Sequence, residues 1–237
     1  MRQHFTNCFF VSLIVLLNSC GGKDKKSPDP VAVKDTLQIT SIEKNNQPRD
    51  PADSSLAPIR SFIEKGLDKW ARSFKNFNID SFHMYQETVF ENTDYDNAAD
   101  LKQFYDLYKP SLIYSADSSQ FIDLYSYGLM LEKKGKKIVA TGDVDNGVTL
   151  CDLKAKTWKR IAFFGPSSGI EEAVWLSPTT FILAGSSDND DGKPQAFMMV
   201  GDISKRYFRW FESKAVRDKS TKYEASGMTK LKIDEWE

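Results

Sequence analysis

The sequence predicts a mainly β domain with helices on its N-terminal side, an α+β chain whose strands run as an antiparallel meander in two four-stranded sheets. Three observations carry this reading. Residues 112–237 contain short β-favouring runs separated by turn residues at hairpin spacing. Residues 58–111 contain two stretches whose apolar residues recur at three- and four-residue steps. Residues 20–57 have neither pattern and collect Lys, Asp, Ser, Asn and Pro.

In chain order, Met1 to Asn7 carries Arg2 as its one charged side chain and leads into the apolar run Phe9-Phe10-Val11-Ser12-Leu13-Ile14-Val15-Leu16-Leu17. That run is far short of the roughly 20 residues a membrane-spanning helix needs. It has the proportions of a secretory signal. The residues that follow, Leu17-Asn18-Ser19-Cys20, resemble the lipobox of bacterial lipoproteins. The resemblance implies a signal peptide over 1–19 cleaved after Ser19. It also implies a diacylglyceryl group on the Cys20 thiol and a palmitate-type acyl chain on the new amine, an anchor that two or three buried chains make nearly irreversible. It places the protein in the bacterial cell envelope. Gly21 stands where an Asp would favour the inner membrane, so the outer membrane is favoured, and the periplasmic or surface face stays open. Residues 20–57 then act as a lipid-anchored tether spanning roughly 35 Å.

The first helix opens at Pro58, with Ile59, Phe62, Ile63, Leu67, Trp70, Ala71 and Phe74 on one stripe. A second runs over 98–109 on Leu101, Phe104, Tyr105 and Tyr108, capped by Asp96 or Asn97 and stopped by Pro110. Residues 58–111 are thus a helical segment and 112–237 an antiparallel β domain. The predicted strands span 121–131, 137–143, 148–152, 158–164, 172–176, 180–186, 196–202 and 207–212. Turns are expected at Lys134-Gly135, Asn146-Gly147, Gly165-Pro166, Ser177-Pro178 and Asp191-Gly192. Phe208 and Trp210 share one face of the last strand, and Tyr207, Arg209 and Phe211 the other, so that strand is expected to be covered on both sides.

A weak repeat pairs Ile138-Val139-Ala140-Thr141-Gly142 with Phe181-Ile182-Leu183-Ala184-Gly185. It also pairs Val148-Thr149-Leu150-Cys151-Asp152-Leu153 with Met198-Met199-Val200-Gly201-Asp202-Ile203. With four strands per copy, the units resemble β-propeller blades, and two blades do not close a propeller. The expectation is two small packed sheets with helices over an exposed edge or face.

The chain of 237 residues has 32 Lys+Arg and 33 Asp+Glu, a net charge of −1 that gives no attraction for nucleic acid. It has 2 His and 3 Cys, and cleavage at Ser19 leaves His83, Cys151 and the acylated Cys20. One imidazole and one thiol do not build a zinc site, so no metal and no cofactor is expected. His83 lies in a run without a nucleophile motif and reads as a surface residue. Cys151 reads as a buried inert thiol, and Asp188-Asn189-Asp190-Asp191-Gly192 as a solvated hairpin tip. What remains is oxygen chemistry, with Asp143, Asp145, Glu171 and Glu172 as the acidic candidates for a glycosidase pair. The leading functional reading is a non-catalytic binding or assembly module, anchored to the membrane by lipid and meeting an envelope protein or glycan. An envelope glycan hydrolase using paired carboxylates and a structural envelope lipoprotein are the alternatives.

Overall fold

A computed structural model describes residues 54–94, 101–218 and 220–237. The expected signal peptide with Ser19, the expected acylation site Cys20, most of the expected tether, and the expected cap residues Asp96 and Asn97 lie outside the described residues. A 3-10 turn at Ala57–Ile59 leads into α1 (Arg60–Gly66) and α2 (Asp68–Arg72), followed by β1 (His83–Val89), β2 (Thr93–Asp94) and α3 (Leu101–Tyr108). Then come β3 (Ile113–Tyr114), β4 (Gln120–Asp123), β5 (Leu129–Lys134), β6 (Lys137–Gly142), β7 (Asn146–Asp152) and β8 (Thr157–Phe164). The chain ends through β9 (Ser168–Trp175), β10 (Thr180–Asp188), β11 (Pro194–Asp202), β12 (Tyr207–Val216) and β13 (Glu235–Trp236).

Two five-stranded antiparallel sheets dominate, ordered β1-β12-β11-β10-β9 and β2-β8-β7-β4-β3. Neither closes into a barrel or propeller. Each is a four-stranded meander with one added edge strand, and both edge strands come from the single segment 83–94. Between them Phe90 N donates to Arg206 O (2.9 Å) and Glu91 N donates to Ile161 O (3.0 Å), one bond to each sheet. The segment expected to be helical therefore also supplies the strand that latches the two sheets together. The third sheet, β13-β6-β5, is a hairpin inserted between β4 and β7, with β13 added in parallel.

The side-chain period of two sorts the cores. Phe181 and Leu183 of β10, Phe197 and Met199 of β11, and Phe208 of β12 meet Ile122, Val148, Leu150, Ile161 and Phe164 between the two large sheets. The alternate residues Ile182, Ala184, Met198, Val200 and Phe211 turn outward onto Ile63, Leu67, Trp70 and Phe74. On the far side Phe121 and Cys151 meet Phe104, Leu107 and Tyr108 of α3 and Leu129, Leu131 and Ala140 of the hairpin. The result is four layers, with helix, sheet, sheet and then helix with hairpin. β12 is covered on both faces, as expected. The predicted first helix breaks at Leu67 and leaves Phe62 41% exposed, while Leu56 takes a core place.

Three expectations need correction. The run 121–131 is two strands, because after Asp123 the chain turns out of the sheet into the hairpin. Asn146-Gly147 is not a turn but the start of β7, paired with Phe164 and Phe163; a Cβ on Gly147 would stand 2.9 Å from the Tyr127 ring, so contact and not backbone reversal explains the glycine. The repeat is real at β7 and β11 but misaligned upstream. β4, not β6, corresponds to β10: Phe121 faces Cys151 and Gln120 faces Asp152, as Phe181 faces Gly201 and Thr180 faces Asp202. An apolar run ending in glycine does not specify its pairing partner, and β6 borrowed that pattern for a different sheet.

At Gly185, where β10 shifts register against β9, a Cβ would stand 2.1 Å from Gly169 O and 2.9 Å from the Phe197 ring. Gly185→Ala is expected to lower unfolding stability by about 1–3 kcal/mol. Gly142→Ala, whose nearest atom would be 3.9 Å away, should stay within about 0.5 kcal/mol. Denaturant midpoints of the two variants check this.

Candidate functional site

The acidic candidates Glu171 and Glu172 lie in β9 where it bulges against β10. Glu171 is fully engaged. Arg217 Nη1 donates to its Oε1 (2.7 Å) and Arg217 Nη2 to its Oε2 (2.8 Å), while Trp70 Nε1 (2.8 Å) and Ser186 Oγ (3.1 Å) donate as well. The Arg217 guanidinium is stacked between Phe74 and Tyr223, 4.3 and 4.4 Å from the ring centroids, and its Nε donates to Ser73 Oγ (3.0 Å). A bidentate, ring-sandwiched pair of this kind is pre-organised for holding and has no free lone pair aimed at a substrate. Glu172 Oε1 accepts from Tyr223 Oη (2.5 Å) and Ser226 N (2.6 Å), which pins the chain after β12 across the sheet edge. Burial, the hydrogen bond to Glu172 and its charge push the Tyr223 hydroxyl far above its ordinary range.

Asp143 and Asp145 stand in the loop between β6 and β7. Asp143 is exposed, and its Oδ1 accepts from Val144 N (2.6 Å). Asp145 is half-buried, with its Oδ1 3.9 Å from where a Gly165 Cβ would be. The two acidic pairs share no hydrogen-bond partner among the described residues.

A carboxylate that sequence reasoning missed is Asp123, 1% exposed at the end of β4. It accepts from Tyr125 N (2.9 Å), Ser126 N (3.2 Å), Ser126 Oγ and Thr149 Oγ1 (3.5 Å), and so holds the turn that leaves the sheet. Burial raises its pKa, against the lowering effect of those four donors. The signal was a lone acid inside the apolar run Phe121-Ile122-Asp123-Leu124, where the corresponding residue of β10 is Leu183. Cys151 is buried, and its thiol is pushed up to about 12, first by burial and then by the Asp152 and Asp123 carboxylates. His83 is exposed on β1, with its Nε2 3.1 Å from Glu212 Oε1. The 188–192 acidic run is a hairpin tip organised by Asn189, whose Oδ1 accepts from Asp191 N and Lys193 N. No cluster of three or more metal-ligating side chains occurs among the described residues.

The cleft of interest was not foreseen. It opens at the end of the sandwich where β8 passes into β9, with a volume of about 360 Å³. Its walls are aromatic, from Tyr85, Phe163, Phe164, Phe197 and Trp210, and its polar groups include Gln195, Ser187, Ser168 and Glu212. Tyr85 reaches it because it is the extra residue in the register between β1 and β12, where Met84 faces Phe211 and Gln86 faces Trp210. Such bulges re-aim a side chain out of the ladder. Trp210 stacks on Phe197 (centroids 5.7 Å apart, 23° between planes), meets Tyr85 edge-on at 6.3 Å, and satisfies its indole by donating to Thr88 Oγ1 (2.8 Å). Burial, with the Glu212 charge adding, pushes the Tyr85 hydroxyl up to about 12, so it remains a neutral donor at physiological pH.

The architecture defines a two-sheet sandwich carrying helices on both outer faces and an aromatic cleft at one end. Compared with known proteins, the chain matches no family model, no curated protein and no solved structure.

Arg217→Met is expected to destabilise the fold by on the order of 2–3 kcal/mol by leaving the half-buried Glu171 without its countercharge, and Arg217→Met with Glu171→Leu should recover part of that loss. Chemical denaturation of both variants measures it. The folded pKa of Asp123 lies above the unfolded value, so the folded chain binds that proton more tightly. Its contribution is full below the unfolded value of about 3.9 and is lost as pH rises through the folded value. The stability of the native chain relative to Asp123→Asn should therefore fall as pH is raised from about 3 toward neutrality, and a difference independent of pH would refute the assignment.

Proposed function

We propose that this is a lipid-anchored protein of the bacterial cell envelope whose domain binds or assembles with a partner and does not catalyse a reaction. The lipobox residues Leu17-Asn18-Ser19-Cys20 support the anchor, and residues 20–57 supply the length that lifts the domain from the bilayer. The observation that favours binding over hydrolysis is the state of Glu171 and Glu172. One has both oxygens taken by Arg217, the other holds Tyr223 and Ser226 N, and a glycosidase needs two carboxyls facing a common substrate. The buried, protonated Cys151 is equally unsuited to attack, since the thiolate is the nucleophile.

Cys20→Ser is expected to move the full-length protein from the membrane fraction to the soluble one and to abolish labelling by a fatty-acid analogue; retention in the membrane with labelling intact would remove the anchor from this reading. Crosslinking of the full-length wild type in intact envelopes, joined to a glycan array, is expected to yield a specific partner. Turnover of a glycan by the purified protein would sink the non-catalytic reading.

A further inference from the structure

We infer that the aromatic cleft is a binding site for an uncharged glycan, with Tyr85 as the exposed stacking platform and Gln195 and Glu212 as the hydroxyl-reading groups. The inference rests on the binding-module reading and names the ligand class of that module.

The chemistry of the walls selects the class. Glu212 is the one ionisable acid or base of full charge in the lining, and no Lys or Arg is present among the described residues that form it. The neighbouring Arg160, 5.0 Å over the Phe163 ring, is already committed to Glu91 (Nε to Oε2, 2.7 Å) and to Tyr127 Oη (2.9 Å). Glu212 already has the His83 imidazole at its Oε1 (Nε2 3.1 Å away), and the lining offers no Lys or Arg to receive a second negative charge, so phosphate-bearing and acidic ligands fit less well than neutral ones. A purely apolar ligand would strip water from Gln195, Glu212 and the serine hydroxyls without replacing those hydrogen bonds. A neutral sugar satisfies both demands. Its axial C–H faces lie on aromatic rings, and its hydroxyls both donate to a carboxylate or amide oxygen and accept from an amide or phenol.

The geometry of the strands points to the same place. All three register irregularities of the first large sheet fall at this end: Met84/Gln86 in β1, Ala184/Gly185 in β10 and Gln195/Phe197 in β11. The nearest break in the second sheet, at Val148/Thr149 against β8, lies just before Phe163 and Phe164. Bulges gathered at one end of a sandwich splay the strands and aim Tyr85, Gln195 and Glu212 at a common space, a use of irregular pairing that recurs beside functional sites. Tyr85 remains 47% exposed, which a ring needed only for packing would not be at a site so rich in aromatic neighbours. At about 360 Å³ the cleft lies at the small end of the range of roughly 300–1,000 Å³ typical of small-molecule sites, a size for one or two sugar rings.

The test titrates the full-length protein, held in a detergent without a sugar headgroup, with neutral gluco-, galacto- and manno-oligosaccharides, read by saturation-transfer NMR and calorimetry. At least one series is expected to bind. Tyr85→Ala and Gln195→Ala should each weaken it roughly tenfold, the loss of one stacking or hydrogen-bonding contact. Tyr85→Phe, which keeps the ring, should retain most of the affinity, and Phe62→Ala, an exposed aromatic outside the cleft, should leave it unchanged. Glu212→Gln should relax discrimination against phosphorylated sugars. The inference is overturned if no neutral saccharide binds, or if binding is indifferent to Tyr85→Ala and Gln195→Ala in variants whose thermal unfolding matches wild type. If no saccharide binds but envelope crosslinking still yields a protein partner, the glycan site falls and the binding-module reading stands. If a saccharide binds at the cleft and is cleaved, the site stands and the non-catalytic reading falls.

Discussion

Both large sheets are apolar on both faces, and that constraint governs the rest of the fold. A strand such as β10, where Phe181 and Leu183 face one way and Ile182 and Ala184 the other, cannot leave either side in water without exposing several large side chains. Packing the sheets against each other buries one face of each. The other faces need their own covers, which α1 and α2 give to the first sheet and α3 with the β5–β6 hairpin gives to the second. The short helices have little stability of their own, and their order follows from the stripes they bury.

Layering of this kind leaves seams, and the polar groups lie along them. Arg217 and Glu171 meet where α2, the β9 bulge and the end of β12 converge, and the guanidinium is affordable there because two rings and a bidentate carboxylate replace its water. Glu172 secures the chain that crosses from the first sheet toward β13. Tyr108 closes another seam. Its hydroxyl donates to Leu129 O (2.6 Å) and accepts from Leu131 N (2.9 Å), standing in for the strand that β5 lacks on that side. These charged and phenolic groups are therefore fasteners between layers, and the cleft at the open end is where layers diverge instead of closing.

The internal symmetry is clearer in space than in sequence. Asp152 and Asp202 each end a central strand, accept from backbone amides of the following turn, and precede a residue of positive φ, Lys156 and Arg206, that swings the chain into an aromatic strand. The two copies differ at Asp123 against Leu183. That exchange marks where the first copy leaves its sheet to form the hairpin, and the hairpin's insertion hid the correspondence between β4 and β10.

By itself the sequence determined the helical stripes, most strand positions of residues 112–237, the double coverage of β12 and the buried thiol. Those properties are local, set by the spacing of apolar residues and by turn chemistry within a few positions. Only the tertiary structure decided which strand pairs with which, that residues 83–94 latch both sheets, and that Glu171 belongs to Arg217, 46 residues away. The aromatic cleft belongs with these. Tyr85, Phe163, Gln195 and Trp210 come from four strands, and a one-residue bulge brings Tyr85 among them; pairing register is a long-range property that no local pattern encodes.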